Sequence, residues 1–350
     1  MGRVLITGGA GFIGTNFVYH WLEHHPGDRV VVLDALTYAG NLDNLASAQA
    51  NLDFSFVQGD IQDQALVEDL IRDHDLDTLV HFAAESHVDR SITGPDAFIQ
   101  TNVLGTHALL KAAKNCWLDS GIGRPHRFHH VSTDEVFGSL GPEDPPFTEK
   151  SPHAPNSPYA ASKAASDHLV RAYHKTYGLD VSISNCSNNY GPFQFPEKLI
   201  PLCISQILKD QPLPIYGDGK QIRDWLFVAD HNRAIDLILS QGAPGAVYAI
   251  GGNNELTNLD LVTRLCRKMD EKFEQDSDLA RRFPTAPPAR GHESSELITR
   301  VADRPGHDRR YAMDASRIEG DLGFKPREDF DSGLDRTLDW YLSAPDGYRG

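Results

Sequence analysis

The chain has 350 residues, 33 Lys and Arg against 49 Asp and Glu, and a formal charge of −16 with histidine neutral. That length suits about two domains with sizeable cores, and the composition argues against intrinsic disorder. The acidic balance argues against a nucleic-acid partner, which needs clustered cations, whereas close basic residues here come as isolated pairs such as Arg281-Arg282 and Arg309-Arg310.

At the N-terminus, residues 1–6 run straight into Thr7-Gly8-Gly9, which does not read as a signal peptide. No apolar run approaches a membrane span, so no membrane partner is expected and the expected location is the cytoplasm. Cys116, Cys186, Cys203 and Cys266 are too widely spaced for a zinc pair or a redox CxxC and are expected to be reduced, buried thiols.

Short runs rich in Val, Ile and Leu occupy residues 4–7, 30–33, 54–57, 78–82, 128–131, 181–185 and 247–250, with helical patterns between them. Runs apolar on both faces predict a parallel sheet between helical layers, an α/β, doubly wound fold of seven strands. After about Asn189 the texture changes to frequent proline, with a helical stretch at 199–209, and residues 225–250 return to helix then strand. This predicts a discontinuous division: residues 1–190 plus 224–252 in one domain, and 191–223 plus 253–350 in a smaller, mostly α domain. Residues 270–296 hold Pro284, Pro287, Pro288 and Gly291 among many charges and predict a frayed helix end followed by a surface loop.

Gly9-Ala10-Gly11-Phe12-Ile13-Gly14 follows the first strand and opens a helical pattern. Glycines there permit a tight turn and close approach of backbone N–H groups to a pyrophosphate held at the helix N-terminus. Asp34 ends the second strand about 20 residues further on, where a carboxylate accepts from both ribose hydroxyls and repels a 2′-phosphate, which favours NAD over NADP. Asp60, followed by Ile61 after the third strand, either reaches the adenine edge or caps the next helix. Phe82, Ala83, Ala84 and Ser86 follow the fourth strand, where small residues let backbone approach a cofactor.

Tyr159 and Lys163 lie one turn apart on a predicted helix that begins after Ser157-Pro158 and runs to about Tyr177. An ammonium so placed is expected to lower the phenol pKa toward that of a useful base, fitting proton removal from an alcohol as hydride leaves the same carbon. At the end of the fifth strand stand Thr133, Asp134 and Glu135. A simple alcohol dehydrogenase needs the hydroxyl and not two acids; a pair with split pKa values can keep one acid protonated to donate and the other ionised to accept. His126, His129 and His130 invite a metal, but neighbouring strand positions face opposite sides, and none is expected.

With these segments, and with residues 36–41, 185–192, 195–201, 223–225 and 303–308, the chain resembles the extended short-chain dehydrogenases/reductases over nearly its whole length, and within them the dTDP-glucose 4,6-dehydratases. The resemblance implies a Rossmann domain, bound NAD, a dTDP-glucose substrate and a homodimer formed through the helices following Phe98 and Tyr159. It makes Tyr159 the base for oxidation at sugar carbon 4, aided by Lys163 and by Thr133 on the 4-hydroxyl. Glu135 then takes the carbon-5 proton while Asp134 protonates the departing 6-hydroxyl, and hydride returns to carbon 6. To NAD it assigns Gly8, Gly11, Phe12, Ile13, Gly14, Asp34, Leu36, Thr37, Asp60, Ile61, Phe82, Ala83, Ala84, Ser86, Thr101, Tyr159, Lys163 and Asn189. To the nucleotide sugar it assigns Ser86, Thr133, Asn188, Lys198, Leu199, Pro214, Tyr216, Arg223, Asn258, Arg304 and His307, with the arginines suited to fork onto a diphosphate. Phe137 stands where that family often has tyrosine. Alternatives are a dehydratase for another nucleotide sugar, a 4-epimerase or decarboxylase, which needs no acid pair, and an NAD-binding protein without turnover.

Overall fold

The computed structural model describes residues 2–120, 125–303 and 306–344. In chain order its strands are β1 (Arg3–Thr7), β2 (Arg29–Asp34), β3 (Phe54–Gln58), β4 (Thr78–His81), β5 (Arg127–Thr133), β6 (Val181–Cys186), β7 (Asn188–Tyr190), β8 (Leu213–Tyr216), β9 (Ile222–Phe227), β10 (Ala246–Ile250), β11 (Glu255–Thr257) and β12 (Ile298–Val301). The seven apolar runs of the sequence form one sheet in the order β10-β6-β5-β4-β1-β2-β3. Every pairing in it is parallel.

Alternation along each strand explains why both faces are apolar. Leu5, Val31, Leu33, Leu79 and Phe128 face a layer containing Leu109, Leu110 and Val170. Their neighbours Val4, Ile6, Val30, Val32 and Val80 face Phe17, Val18, Trp21 and Ile235 on the other side. Period-two side chains on a strand buried from both sides leave no polar face to expose. Strand order reverses between β1 and β4, so the crevice at their carboxyl ends is where such a sheet takes its ligand.

A separate core, with Ile200, Ile204, Leu261, Leu265, Met269, Leu334 and Leu338, joins the helices Leu199–Leu208, Asn258–Gln275 and Phe330–Ser343. Short sheets β11-β9-β7 and β12-β8 flank it, and β9 passes into the Val228–Gln241 helix that returns the chain to β10. Residues 270–296 correct the expectation of a frayed end and surface loop. The long helix continues to Gln275, a second covers Ser277–Arg282, and Leu279, Phe283 and Ala286 are buried in the core. The Ser294 backbone N–H and hydroxyl donate to Asp270, which ties the prolines' end of the segment back to the helix. Few apolar residues suffice because each of them points inward.

Candidate active site

The loop after β1 is shaped by what it lacks. Gly8 has φ +72°, and a Cβ there would sit 2.6 Å from the Ala83 backbone nitrogen; a Cβ on Gly14 would sit 2.2 Å from the Gly8 carbonyl oxygen. Gly11 occupies the N-cap of the Phe12–His24 helix, and no side chain caps its first turn. Unsatisfied amides at a glycine-lined helix start are a ready anion site. Asp34, buried at the end of β2, accepts from the Ala10 backbone N–H at 2.9 Å and from that of Leu36 at 2.8 Å. Burial still holds its carboxyl above the usual range. It thus fixes the glycine loop, and each oxygen keeps a lone pair for a ribose hydroxyl. These features fit NAD.

One cavity collects Gly8, Gly11, Phe12, Ile13, Gly14, Asp34, Thr37, Asp60, Ile61, Phe82, Ala83, Ala84, Ser86 and Thr101 with Thr133, Asp134, Glu135, Tyr159, Lys163, Asn188, Asn189 and Lys198. Leu36 stands just behind its wall with φ +51°. Asp60 lines the cavity and accepts from the Gln62 backbone N–H at 2.8 Å; it does not cap the next helix, Gln64–Asp73, whose cap is Asp63. Tyr38, Glu85, Phe195 and Glu197 complete the wall and were missed by the sequence reading, since no spacing marks them. Lys198 donates to the Ser86 carbonyl at 2.9 Å, joining the loop after β4 to the segment before the Leu199–Leu208 helix.

Ser157 caps the Pro158–Tyr177 helix by accepting from Ala160, and this presents Tyr159 and Lys163 on one buried face. Lys163 donates to the Val131 carbonyl at 2.8 Å and approaches His130 Nε2 at 3.5 Å. Burial lowers its ammonium to about 8, against the opposing pull of Asp167 and Cys186. The net shift of Tyr159 runs upward, opposite to the lowering expected for it. Burial and then Glu135, Cys186 and Asp134 push the phenol well above its usual value, and only the Thr133 hydroxyl beside it pulls the other way.

Thr133 ends β5; its hydroxyl accepts from the Glu135 backbone N–H at 3.3 Å and donates to Asp134 Oδ1 at 3.2 Å. Asp134 is 2% exposed, and its Oδ2 is buried without a hydrogen-bond partner. Burial and the neighbouring Glu135 hold its carboxyl well above the usual range, which favours the neutral acid, while Arg223 opposes. Glu135 is only half-buried. Adjacent acids therefore sit in unlike environments, as a donor and an acceptor must.

Of the residues assigned to the nucleotide sugar, Leu199, Pro214, Tyr216, Arg223, Asn258 and His307 do not line this cavity, and Arg304 lies outside the described residues. Tyr216 and His307 meet edge to face at 6.1 Å beside β8. Asn258 opens the Asn258–Gln275 helix. Arg223 differs most from expectation: it is buried, stacked on the Tyr311 ring at 4.1 Å, and donates to the Ile222 and Asp308 carbonyls at 2.7 and 3.0 Å. Phe137 packs against Phe147 and His153 in a buried cluster. His129 bonds Ser182 and Ser184 on β6 while His130 faces Lys163, on opposite sides of the sheet. Among the described residues no group of three His, Cys, Asp or Glu could hold a metal ion.

Residues 5–337 match the family model for GDP-mannose 4,6 dehydratase. A dTDP-glucose 4,6-dehydratase of Xanthomonas campestris pv. campestris (strain B100) is 55% identical over 98% of this chain and 94% of its own length. Another, from Escherichia coli (strain K12), is 50% identical over 97% of this chain and 93% of its own. The solved dTDP-glucose 4,6-dehydratase of Streptomyces venezuelae, with NAD bound, superposes with a TM-score of 0.84 at 47% identity, covering 97% of this chain and 96% of that one.

Proposed function

The chain belongs to the NAD-dependent dTDP-glucose 4,6-dehydratases, and from that premise we propose how its own residues divide the reaction. NAD, when bound, supplies the hydride acceptor for sugar carbon 4 and the hydride donor for carbon 6. Its holders are the amides of the Gly8–Gly14 loop at the pyrophosphate, Asp34 at the adenosine ribose, Asp60 toward adenine, and Lys163 at the nicotinamide end. Tyr159 takes the 4-hydroxyl proton as the phenolate, a form that the Lys163 ammonium and a bound nicotinamide cation would favour against the burial that raises its pKa, while Thr133 orients that oxygen. Once carbon 4 is a ketone the carbon-5 proton is acidic; Glu135 removes it, and Asp134 gives its proton to the departing 6-hydroxyl. Glu135 then returns a proton to carbon 5, yielding dTDP-4-dehydro-6-deoxy-glucose.

The observation that carries this division is the Asp134 carboxyl, buried beside the half-buried Glu135 with one oxygen unpartnered. An epimerase has no use for a protonated acid there. The proton balance also closes: each turnover leaves Tyr159 with one proton more and Asp134 with one fewer. Thr133 touches both and can return the proton between them after product leaves. Glu135→Gln tests the division. It should still oxidise carbon 4 but lose exchange of the carbon-5 proton with deuterated solvent, and normal exchange would remove Glu135 from its role.

The same reading puts the NAD domain at 1–190 plus 224–252 and the nucleotide-sugar domain at 191–223 plus 253–350, with Tyr216, Asn258 and His307 toward the nucleotide. Arg223, buried near Asp134, then supports the acid pair as well as any phosphate. No helix among the described residues is long and apolar enough to cross a membrane, which supports a cytoplasmic enzyme. A homodimer is supported by exposed Ile92, Ile99, Leu104 and Tyr177 on neighbouring segments packed around the Pro158–Tyr177 helix.

A further inference from the structure

Tyr159 and Lys163 are followed, one more turn along the same helix face, by a third buried polar residue, Asp167. Its carboxylate is 2% exposed and lies behind the lysine, away from the substrate side. Oδ1 stands 3.3 Å from His130 Nε2, the same ring nitrogen that lies 3.5 Å from the Lys163 ammonium. Oδ2 accepts from Asn185 at 3.0 Å; burial raises the carboxyl above its usual range, and Lys163 is the strongest of the groups that oppose it. On its outer side His153 Nε2 approaches Oδ2 at 4.0 Å, and that ring is 17% exposed.

Building on the role proposed for Lys163, we infer that Asp167 is a positioning residue for it. Together with His130, the carboxylate fixes the ammonium against the Val131 carbonyl and sustains its charge in a dry site. One ring nitrogen cannot accept from Lys163 and donate to Asp167 at once, so the lysine's charge and the carboxylate's protonation are coupled through His130. His153 gives this buried set its contact with solvent. The groups facing the lysine are Tyr159 and Asp167 from its own helix, His130 from β5, with His81 of β4 behind it, and Cys186 from β6. Of these, Asp167 supplies the opposing charge that keeps the ammonium protonated. Removing that charge lowers the pH at which Lys163 is lost as a cation, since burial alone disfavours the charged form.

The test uses NAD-loaded enzyme carrying Glu135→Gln, in which the oxidation step is read by absorbance of the reduced nicotinamide without elimination following. Adding Asp167→Asn should move the alkaline limit of that step to lower pH by about one unit or more, with NAD still retained. Asn185→Ala removes the side-chain donor on Oδ2 and should move the limit the same way by less; it carries the test where Asp167→Asn does not fold. An unmoved limit in a folded, NAD-retaining variant overturns the inference. Glu135→Gln alone reports on the proposed division of roles, so the two failures are told apart.

Discussion

Asp134 and Glu135 share a peptide bond but not an environment, and the difference arises from where β5 stops. Asp134 turns inward beneath Thr133, while Glu135 begins the turn that opens on the cavity. Asp134→Asn should therefore leave carbon-4 oxidation standing and lower overall dehydration by about 10²-fold or more, the usual worth of a positioned acid; single-turnover absorbance set against product formation separates the two. Tyr159→Phe should lower both together by a similar or larger factor. Residue types and spacing made these positions legible in the sequence. The net direction of the Tyr159 shift was not, because it depends on how deeply the phenol is buried and on which acids crowd it. Asp167 was missed although it repeats the spacing of Tyr159 and Lys163, since an acid on a helix reads as surface until its burial is known.

Strands β1, β2 and β4 were visible as runs of Val, Ile and Leu because burial from both sides demands it, whereas β3 and β5 carry Phe with Ser or His between. Strands β7, β8, β9, β11 and β12 have three to six residues each and mixed polarity, and they form through pairing rather than through any periodicity of their own. The glycine loop was equally legible. A Gly14→Ala Cβ would meet backbone rather than a yielding side chain. That variant should lose copurifying NAD while keeping its fold, measured by cofactor content alongside circular dichroism. In the Val228–Gln241 helix, His231 is fully buried against Asn189 at 2.9 Å, and burial lowers its pKa to about 3. The fold tolerates only the neutral ring, so as pH falls below the unfolded value near 6.5 protonation favours the unfolded chain. The stability advantage of wild type over His231→Gln should shrink by about 2 kcal/mol between pH 6.5 and pH 5, read by denaturant unfolding at each pH.

Across the whole molecule, the charge of −16 is a property of the body and not of the cleft, where Lys163 and Lys198 are held by backbone carbonyls and burial favours the neutral form of Asp134. Four of the exposed large apolar residues lie on or against the Pro158–Tyr177 helix, and the proposed dimer would cover them. Leu104→Glu should convert a dimer to monomer in light scattering and lower thermal stability; an unchanged mass would place the interface elsewhere. The central claim is that this cavity eliminates water across carbons 5 and 6 using a cofactor it regenerates. Incubation of the purified enzyme with dTDP-glucose in deuterated water, with no reductant added, tests it most directly by mass spectrometry. The expected product has lost one water and carries one solvent deuterium at carbon 5. A sugar nucleotide of unchanged composition, merely inverted at carbon 4, would contradict it.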